Sequence, residues 1–382
     1  MTERERVLAG ILIKHERLKR NWSLQGACEG ICSVSYLSKI EQGKAKPAPE
    51  IAELILKRLG VEWHEDEKTD GAVDGIYETV LSGDEKRAEE LFKTARLEGG
   101  RYLVDRLLLS SWFLQSEPDD FLRQCEGQLS PRQLTLYFIQ TNRAEELVRR
   151  EPSALALTVY GGKLCSEGEY MRAVEALSRA YDYAATEGRA YLMCAAKLLI
   201  GNCYSNTMDY ERMTEHYAVA RRLADAIGDA DSIATIDYNI AATALELSRV
   251  DEAYSYFSKE GIGGSMSLHK LAICHELRGE TRQALNALDR AKAEDAGDIP
   301  KHIVEKMLNI VRFRLENPDY LNKSEYGRLL LDCFSEIRGN LPSGYASFHI
   351  PWVLEWHRAN RQYKQAYELL RDFPEYTNLN AD

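Results

Sequence analysis

Small and large apolar residues recur in the same order along most of the chain beyond residue 72. Three such segments begin at Tyr160, Ile200 and Ile240, so successive units are 40 residues apart. A fourth begins at Leu271, 31 residues later. Within each unit the apolar positions follow a period of 3.6 residues, and the signals typical of strands and hairpins are missing. The pattern predicts an all-α chain made of repeated helical hairpins.

This repeat resembles the tetratricopeptide repeat, although its units exceed the usual length of about 34 residues. In that family a small residue on the first helix lets the second helix approach, and an alanine on the second helix packs back. Since one helix pair cannot bury its own apolar face, the resemblance implies a right-handed α-solenoid with a concave surface. Residues 97–150 and 296–345 match poorly, and we interpret them as degenerate pairs. An unrelated helical bundle is the alternative.

The first 60 residues show a different arrangement of short helices. The positions of Val7, Leu8, Ile11 and Leu18 predict an amphipathic first helix. A short helix capped by Ser23 follows, then a turn at 29–32 and a second short helix that begins after a cap at Ser33 and ends at Gly43. Another helix is predicted from about Glu50 to Leu59, with Ile51, Leu54, Ile55 and Leu59 on its buried side.

Two short helices joined by a glycine-containing turn form the unit whose second helix enters the DNA major groove. On that second helix we expect Val34, Leu37 and Ile40 to share an apolar face, which leaves polar side chains for bases and phosphates. A small helical hairpin with a solvated polar face is the alternative. The predicted DNA-binding residues are Ser23, Gln25, Ser33, Val34, Ser35, Ser38, Lys39 and Lys44.

The run 31–41, followed by Gly43 and Pro47, resembles the Xre-type helix-turn-helix found in Gram-positive peptide-sensing regulators. The resemblance covers about residues 5–60. This chain departs from the family in one respect: Leu24 stands where a Gln commonly contacts the DNA backbone, and Gln25 is one place further on.

Charge is divided unevenly between the two parts. The chain carries a net charge of −11, but residues 1–60 carry +4 and the remainder −15. A basic head on an acidic body suits DNA binding by the head alone. We predict a helix-turn-helix domain at 1–62, a polar linker at 63–72 and a repeat domain at 73–382. Because no apolar run of 18 residues and no secretion signal are found, we expect a cytoplasmic protein without a membrane partner.

The sequence offers little for catalysis. Its eight cysteines form no CxxC pair, and Cys28 and Cys32 lack a second pair that would complete a metal or redox site, so reduced thiols are expected. His275 and Glu276 begin like a zinc-protease motif that has no second His. We therefore expect no enzyme, no cofactor and no metal.

The predicted concave face is the better candidate for a binding site. In tetratricopeptide proteins the first helix of each pair lines the groove, where Asn or basic side chains hold an extended peptide. An Asn amide offers a donor and an acceptor to a peptide unit. Hydrogen bonds at helix ends or between repeats remain the alternative for each residue. The predicted peptide-binding residues are Asn202, Asn206, Tyr238, Asn239, His269, Asn309 and Arg312.

The combination of the two domains resembles the Gram-positive quorum-sensing receptors of the PlcR/NprR/PrgX/Rgg group. That resemblance implies a transcriptional regulator that binds operator DNA as a homodimer and is controlled by a short signalling peptide in the groove. The alternative is a tetratricopeptide protein-interaction module that sequesters another regulator, with no peptide ligand or with a vestigial DNA-binding head. A regulator whose groove takes a protein or nothing is also open.

Overall fold

A computed structural model describes residues 1–297 and 299–373, and within these residues it is helical with no β-strand. The all-α prediction is therefore confirmed. Contacts divide the chain into two compact units, 1–159 and 160–382, and the division falls inside the eleventh helix. The helices that begin in the first unit are α1 Glu3–Lys19, α2 Leu24–Cys28, α3 Val34–Glu41, α4 Pro49–Arg58, α5 Glu67–Ser82, α6 Glu85–Thr94, α7 Leu103–Phe113, α8 Asp120–Cys125, α9 Pro131–Gln140, α10 Ala144–Arg150 and α11 Ala154–Ser166.

The second unit consists of successive long helices that pack pairwise, as the repeat pattern predicts. The described residues of the regions that match the repeat poorly are largely helical too, and their interpretation as degenerate pairs stays a prediction. The helices that begin in this unit are α12 Tyr170–Glu187, α13 Ala190–Asn206, α14 Tyr210–Ile227, α15 Ala230–Glu246, α16 Val250–Phe257, α17 Ser265–Leu277, α18 Thr281–Ala293, α19 Lys301–Glu316, α20 Ser324–Asn340, α21 Ser343–Ala359 and α22 Tyr363–Asp372.

Small residues on the first helix of a pair permit close packing of the second. A Cβ at Gly161 would overlap the side chain of Leu177, and one at Gly201 would overlap the ring of Tyr217. At the equivalent place 40 residues on, Ala241 is buried at 2% exposure. Because a larger side chain would force these helices apart, the small-residue positions set the spacing of each hairpin.

The buried face of α1 differs from the sequence-based expectation. Ala9, Leu12 and Ile13 are buried, whereas Leu18 is 54% exposed. The helix packs against α3 and α4 and also against α8, so its centre is enclosed from more than one side and its last turn is left in solvent. In the same way Leu54 of α4 is 50% exposed, and Ala52 and Leu56 fill the core instead.

The predicted domain boundaries stay a prediction, and the compact units divide at another place. Residues 67–72 of the predicted linker form the first turns of α5, whose N-cap is Asp66. One hydrophobic cluster includes both Ile13 of α1 and Leu108 of α7, so the N-terminal helices share a core with the helices that follow them. The predicted repeat domain also includes residue 298 and residues 374–382, which lie outside the described residues. No helix in the described part has the length and apolarity needed to cross a membrane.

Candidate DNA-binding surface and ligand cavity

The two short helices α2 and α3 begin at side-chain caps, as predicted. The Ser23 hydroxyl accepts a hydrogen bond from the Gly26 amide at 3.0 Å, and the Ser33 hydroxyl accepts one from the Tyr36 amide at 3.2 Å. Gly30 lies between the helices with φ of 71°, a conformation that glycine adopts without strain. The turn therefore fixes where α3 starts relative to α2.

One side of α3 is buried and the other is exposed. Leu37 and Ile40 are 0% and 2% exposed, while Ser35 and Lys39 face solvent. Val34 was expected on the apolar face with Leu37 and Ile40, but it is 43% exposed. Val34 is the first residue of α3, and the buried residues of this helix, Leu37 and Ile40, lie further along it. An exposed methyl-bearing residue at a helix start suits apolar contact with a thymine methyl group.

The orientation of α3 is held by contacts with α1. The Arg17 guanidinium donates to both carboxylate oxygens of Glu41, at 2.6 and 2.7 Å, and these hydrogen bonds raise the pKa of Arg17. Gly10 lies so close to Ile40 that a Cβ there would be 3.1 Å from its Cγ2. The bidentate pair at Glu41 and the close packing at Ile40 hold the last turn of α3 against α1, which makes the exposed face a rigid surface.

The remaining predicted DNA-binding residues are distributed around this face. Gln25 and Lys44 are exposed. Ser38 is partly buried, and its hydroxyl accepts a hydrogen bond from the side-chain Nε2 of Gln42 at 3.0 Å. Ser23 and Ser33 are exposed as well, but their hydroxyls accept hydrogen bonds as caps and thereby fix the starts of α2 and α3. Gln42 is exposed at the end of α3 and was not predicted from the sequence.

A cavity of about 370 Å³ lies in the second unit. Side chains of α13, α15 and α17 form part of its wall, and the first turns of α21 form another part. The lining residues are Gly162, Cys165, Ser166, Leu199, Asn202, Ser205, Asn206, Tyr238, Asn239, Ala242, Thr243, Glu246, Met266, Lys270, Pro342, Gly344, Tyr345, Phe348 and His349. Four of the seven residues predicted to bind a peptide are thus brought together, namely Asn202, Asn206, Tyr238 and Asn239.

A hydrogen-bond network holds two of these amides in place. The Asn202 Oδ1 accepts from the Tyr217 hydroxyl at 2.7 Å and from the Asn239 Nδ2 at 3.0 Å. The alternative considered for these residues, a hydrogen bond between repeats, is therefore present, yet both residues also line the cavity. Since an amide group has further donors and acceptors, Asn202 Nδ2 and Asn239 Oδ1 remain for a ligand.

The other three predicted peptide-binding residues lie elsewhere. His269 was expected to border the groove but is 1% exposed, because α17 is enclosed on nearly all sides, and burial lowers its pKa well below the usual value. Asn309 is exposed on α19, and the Arg312 guanidinium pairs with Asp289. None of the three is among the cavity-lining residues, and their role in binding stays a prediction.

The cavity contains charged groups that the sequence reasoning missed. Lys270 is 5% exposed, and burial lowers the pKa of its ammonium from 10.5 to about 7. Burial likewise raises the pKa of the Glu246 carboxyl from 4.5 to about 7. His349 is 1% exposed, and burial lowers its pKa to about 4. A lysine inside the apolar run of α17 was the available signal, whereas α21 begins within the stretch 296–345 that matches the repeat poorly.

Thiol and metal chemistry are not indicated in the described part of the chain. All eight cysteines are free thiols, and seven of them are buried. Among residues 1–297 and 299–373, no group of three or more His, Cys, Asp or Glu side chains is placed to hold a metal ion.

Comparison with whole proteins adds little. No curated protein matches the chain. One solved structure, Bacillus thuringiensis PlcR in complex with the peptide PapR7 and DNA, matches at 14% identity, covering 80% of this chain and 99% of that one, with a TM-score of 0.28. A match at this level is too weak to support an argument about what this chain binds.

Comparison with protein families is informative for the N-terminal helices. Residues 13–65 match the helix-turn-helix family HTH_3, and this range contains α2, α3 and α4. The match agrees with the caps at Ser23 and Ser33 and with the exposed polar face of α3. The N-terminal part of the chain therefore carries a helix-turn-helix domain of the DNA-binding type.

Proposed function

We propose that this protein is a cytoplasmic, homodimeric transcriptional regulator that binds a roughly palindromic operator through α3. The observation that carries the proposal is the exposed face of α3, where Val34, Ser35 and Lys39 project from a helix fixed by Arg17 and Glu41. Side chains of this kind contact base edges and phosphates when such a helix lies in the major groove. Two copies would contact half-sites about one helical turn apart.

The second part of the proposal is that the cavity in the repeat unit binds a short signalling peptide. Its support is the set of amide side chains from α13 and α15, which offer donors and acceptors suited to a peptide backbone. The Asn206 side chain makes no hydrogen bond to any of the described residues, so both its Oδ1 and its Nδ2 are available to a ligand. A cavity of about 370 Å³ is within the range of ligand sites in proteins.

Control of DNA binding then needs a ligand with different affinity for two conformations of the protein. Moving a population from mostly one conformation to mostly the other requires a difference of about 5 kcal/mol. A ligand that binds both conformations equally would change nothing, however tightly it binds. In this proposal the peptide acts as the selective ligand, and operator affinity is the property that responds.

The DNA-binding proposal is tested by fluorescence anisotropy with a duplex selected from random DNA by the full-length protein. We expect Ser35→Ala and Lys39→Ala each to weaken binding about tenfold, as loss of a base or phosphate contact does. Lys57→Ala is the matched control, because Lys57 is exposed on α4 of the same domain and lies off α3. Binding should also weaken steeply as salt rises.

Two results would contradict this part of the proposal. One is the absence of salt-sensitive DNA binding by the wild-type protein. The other is equal affinity of Ser35→Ala, Lys39→Ala and Lys57→Ala while circular dichroism shows all three to be folded. Analytical ultracentrifugation of the complex tests the dimer, because a single copy per duplex would exclude the proposed two half-sites.

A further inference from the structure

Two opposite charges line the same cavity without a direct partner for either. Glu246 is the last residue of α15, and Lys270 lies in the middle of α17. Among the described residues neither side chain has a hydrogen bond or an ion pair, although Lys270 is 5% exposed and Glu246 is partly buried. The Lys270 ammonium is placed over the ring of Phe348, a contact that replaces only part of the lost hydration.

Burying charged groups of this kind lowers the stability of the folded protein. A buried ammonium or carboxylate loses its hydration and normally regains the free energy through paired hydrogen bonds. In this cavity the two groups attract each other, but neither has a hydrogen bond or an ion pair among the described residues to complete the compensation. A methionine at position 270 would fill the same space on α17 without that cost, which makes the lysine difficult to explain by packing.

A third group at the cavity is also incompletely bonded. His349 Nδ1 donates a hydrogen bond to the Tyr345 carbonyl oxygen at 2.9 Å, while its Nε2 has no partner among residues 1–297 and 299–373. The side chain is 1% exposed and lines the cavity. An unbonded nitrogen, an unpaired ammonium and an unpaired carboxylate therefore border one space, together with the free amide of Asn206.

We propose that the cavity is selective for a zwitterionic ligand, whose free carboxylate binds Lys270 and whose cationic group binds Glu246. This inference rests on the proposed function, because a short peptide with a free C-terminus and a basic group is such a ligand. A charge-assisted hydrogen bond to each end gives the bound molecule one orientation. The amides of Asn206 and Asn239 lie on the same wall and serve the polar groups between the two ends.

A free carboxylate together with a cationic group occurs both in a short peptide and in a single free amino acid. The test therefore uses three probes: a random tetrapeptide library with free C-termini, the same library with C-terminal amides, and a set of the twenty free amino acids. Bound peptides are identified by mass spectrometry after size-exclusion separation of the full-length protein. Binding of single amino acids is measured by thermal shift.

Two substitutions remove the proposed contacts, and two neighbours provide matched controls. Lys270→Met and Glu246→Gln remove one charge each at nearly constant size. Lys259→Met and Glu260→Gln make the same changes at adjacent exposed positions that do not line the cavity. Circular dichroism of each variant establishes that it is folded before binding is measured.

We expect the acid library to be enriched at least tenfold over the amide library, with basic residues over-represented among the bound peptides. Lys270→Met should abolish the preference for the acid form, and Glu246→Gln should abolish the preference for basic residues, whereas both controls keep them. Binding of single amino acids, lost in the same two variants, would support the free amino acid as the source. Equal enrichment of acid and amide peptides would overturn this inference and leave the proposed peptide binding intact. Failure of all three probes would overturn both.

Discussion

Replacing Lys270 by methionine should make the protein more stable. The side chain is 5% exposed, lines the cavity and has its ammonium over the Phe348 ring. Methionine has a similar length, packs well against an aromatic ring and carries no charge to desolvate.

The size of the effect follows from the pKa of Lys270. Burial lowers this pKa from 10.5 to about 7, so the folded protein binds the proton much more weakly than the unfolded chain does. Each tenfold difference in proton affinity corresponds to about 1.4 kcal/mol, which makes the charged lysine unfavourable by roughly 5 kcal/mol. Structural relaxation and water entry reduce such values, and we expect a measured gain of about 2–4 kcal/mol at pH 7.

The gain should also depend on pH in a defined window. Between pH 7 and 10.5 the unfolded state binds more protons at Lys270 than the folded state, so the stability of the lysine protein rises with pH. Below pH 7 the lysine is charged in both states and the full penalty is present. The advantage of Lys270→Met is therefore largest at pH 7 and below, and it declines as the pH approaches 10.5.

Urea unfolding at pH 6, 7, 8, 9 and 10 measures this dependence. Circular dichroism follows the helices, and tryptophan fluorescence, to which Trp352 and Trp356 of the second unit contribute, is a second probe of unfolding. Lys259→Met is the control, since its lysine is exposed and should show no such trend. The reasoning would be refuted if Lys270→Met lowered the free energy of unfolding, or if its effect were the same at every pH.

Three further substitutions test the packing and the DNA-binding surface. Ser33→Ala removes the cap of α3 and should lower the free energy of unfolding of the first unit by about 1 kcal/mol, measured by urea unfolding. Glu41→Gln weakens the bidentate pair with Arg17, so we expect a loss of about 2 kcal/mol and weaker DNA binding by anisotropy, with no change in ligand binding. Gly201→Ala places a methyl group against Tyr217 and should cost about 1–3 kcal/mol, seen as a lower melting temperature of the second unit.

Much of the fold could be predicted because its determinants are local. Helix caps such as Ser23 and Ser33 act within three residues, and the 40-residue repeat marks the positions where a glycine must meet a large side chain. The buried face of α1 could not be predicted in the same way. Its sequence has apolar residues on several sides, and the choice between Leu12 and Leu18 depends on which later helices pack against it.

Only part of the cavity lining could be predicted from the sequence, because the rest depends on contacts between helices that are distant along the chain. Register along the repeat predicts Asn202, Asn206 and Asn239 on one surface, and all three line the cavity because α13 and α15 pack against each other. The wall contributed by α21 could not be inferred, since this helix begins at Ser343, far along the chain from the end of α15 at Glu246, and its first residues belong to the stretch 296–345 that matches the repeat poorly. Contacts of this range are set by tertiary packing, as when the Tyr170 hydroxyl meets the Ser343 hydroxyl at 2.8 Å.

The charged groups of the cavity connect the stability of the protein with the proposed binding of a ligand. An empty site that holds Lys270 and Glu246 unpaired is less stable than an apolar one, and a ligand that supplies both missing partners would restore the lost free energy. Binding would then raise the pKa of Lys270 toward its usual value and lower that of Glu246. The ligand would therefore add most to the free energy of unfolding near pH 7, where the two unpaired groups destabilise the empty protein most. An apolar cavity of the same size would show no such maximum. The pH dependence of ligand-induced stabilisation therefore distinguishes a site built for a charged ligand from a gap left by imperfect packing.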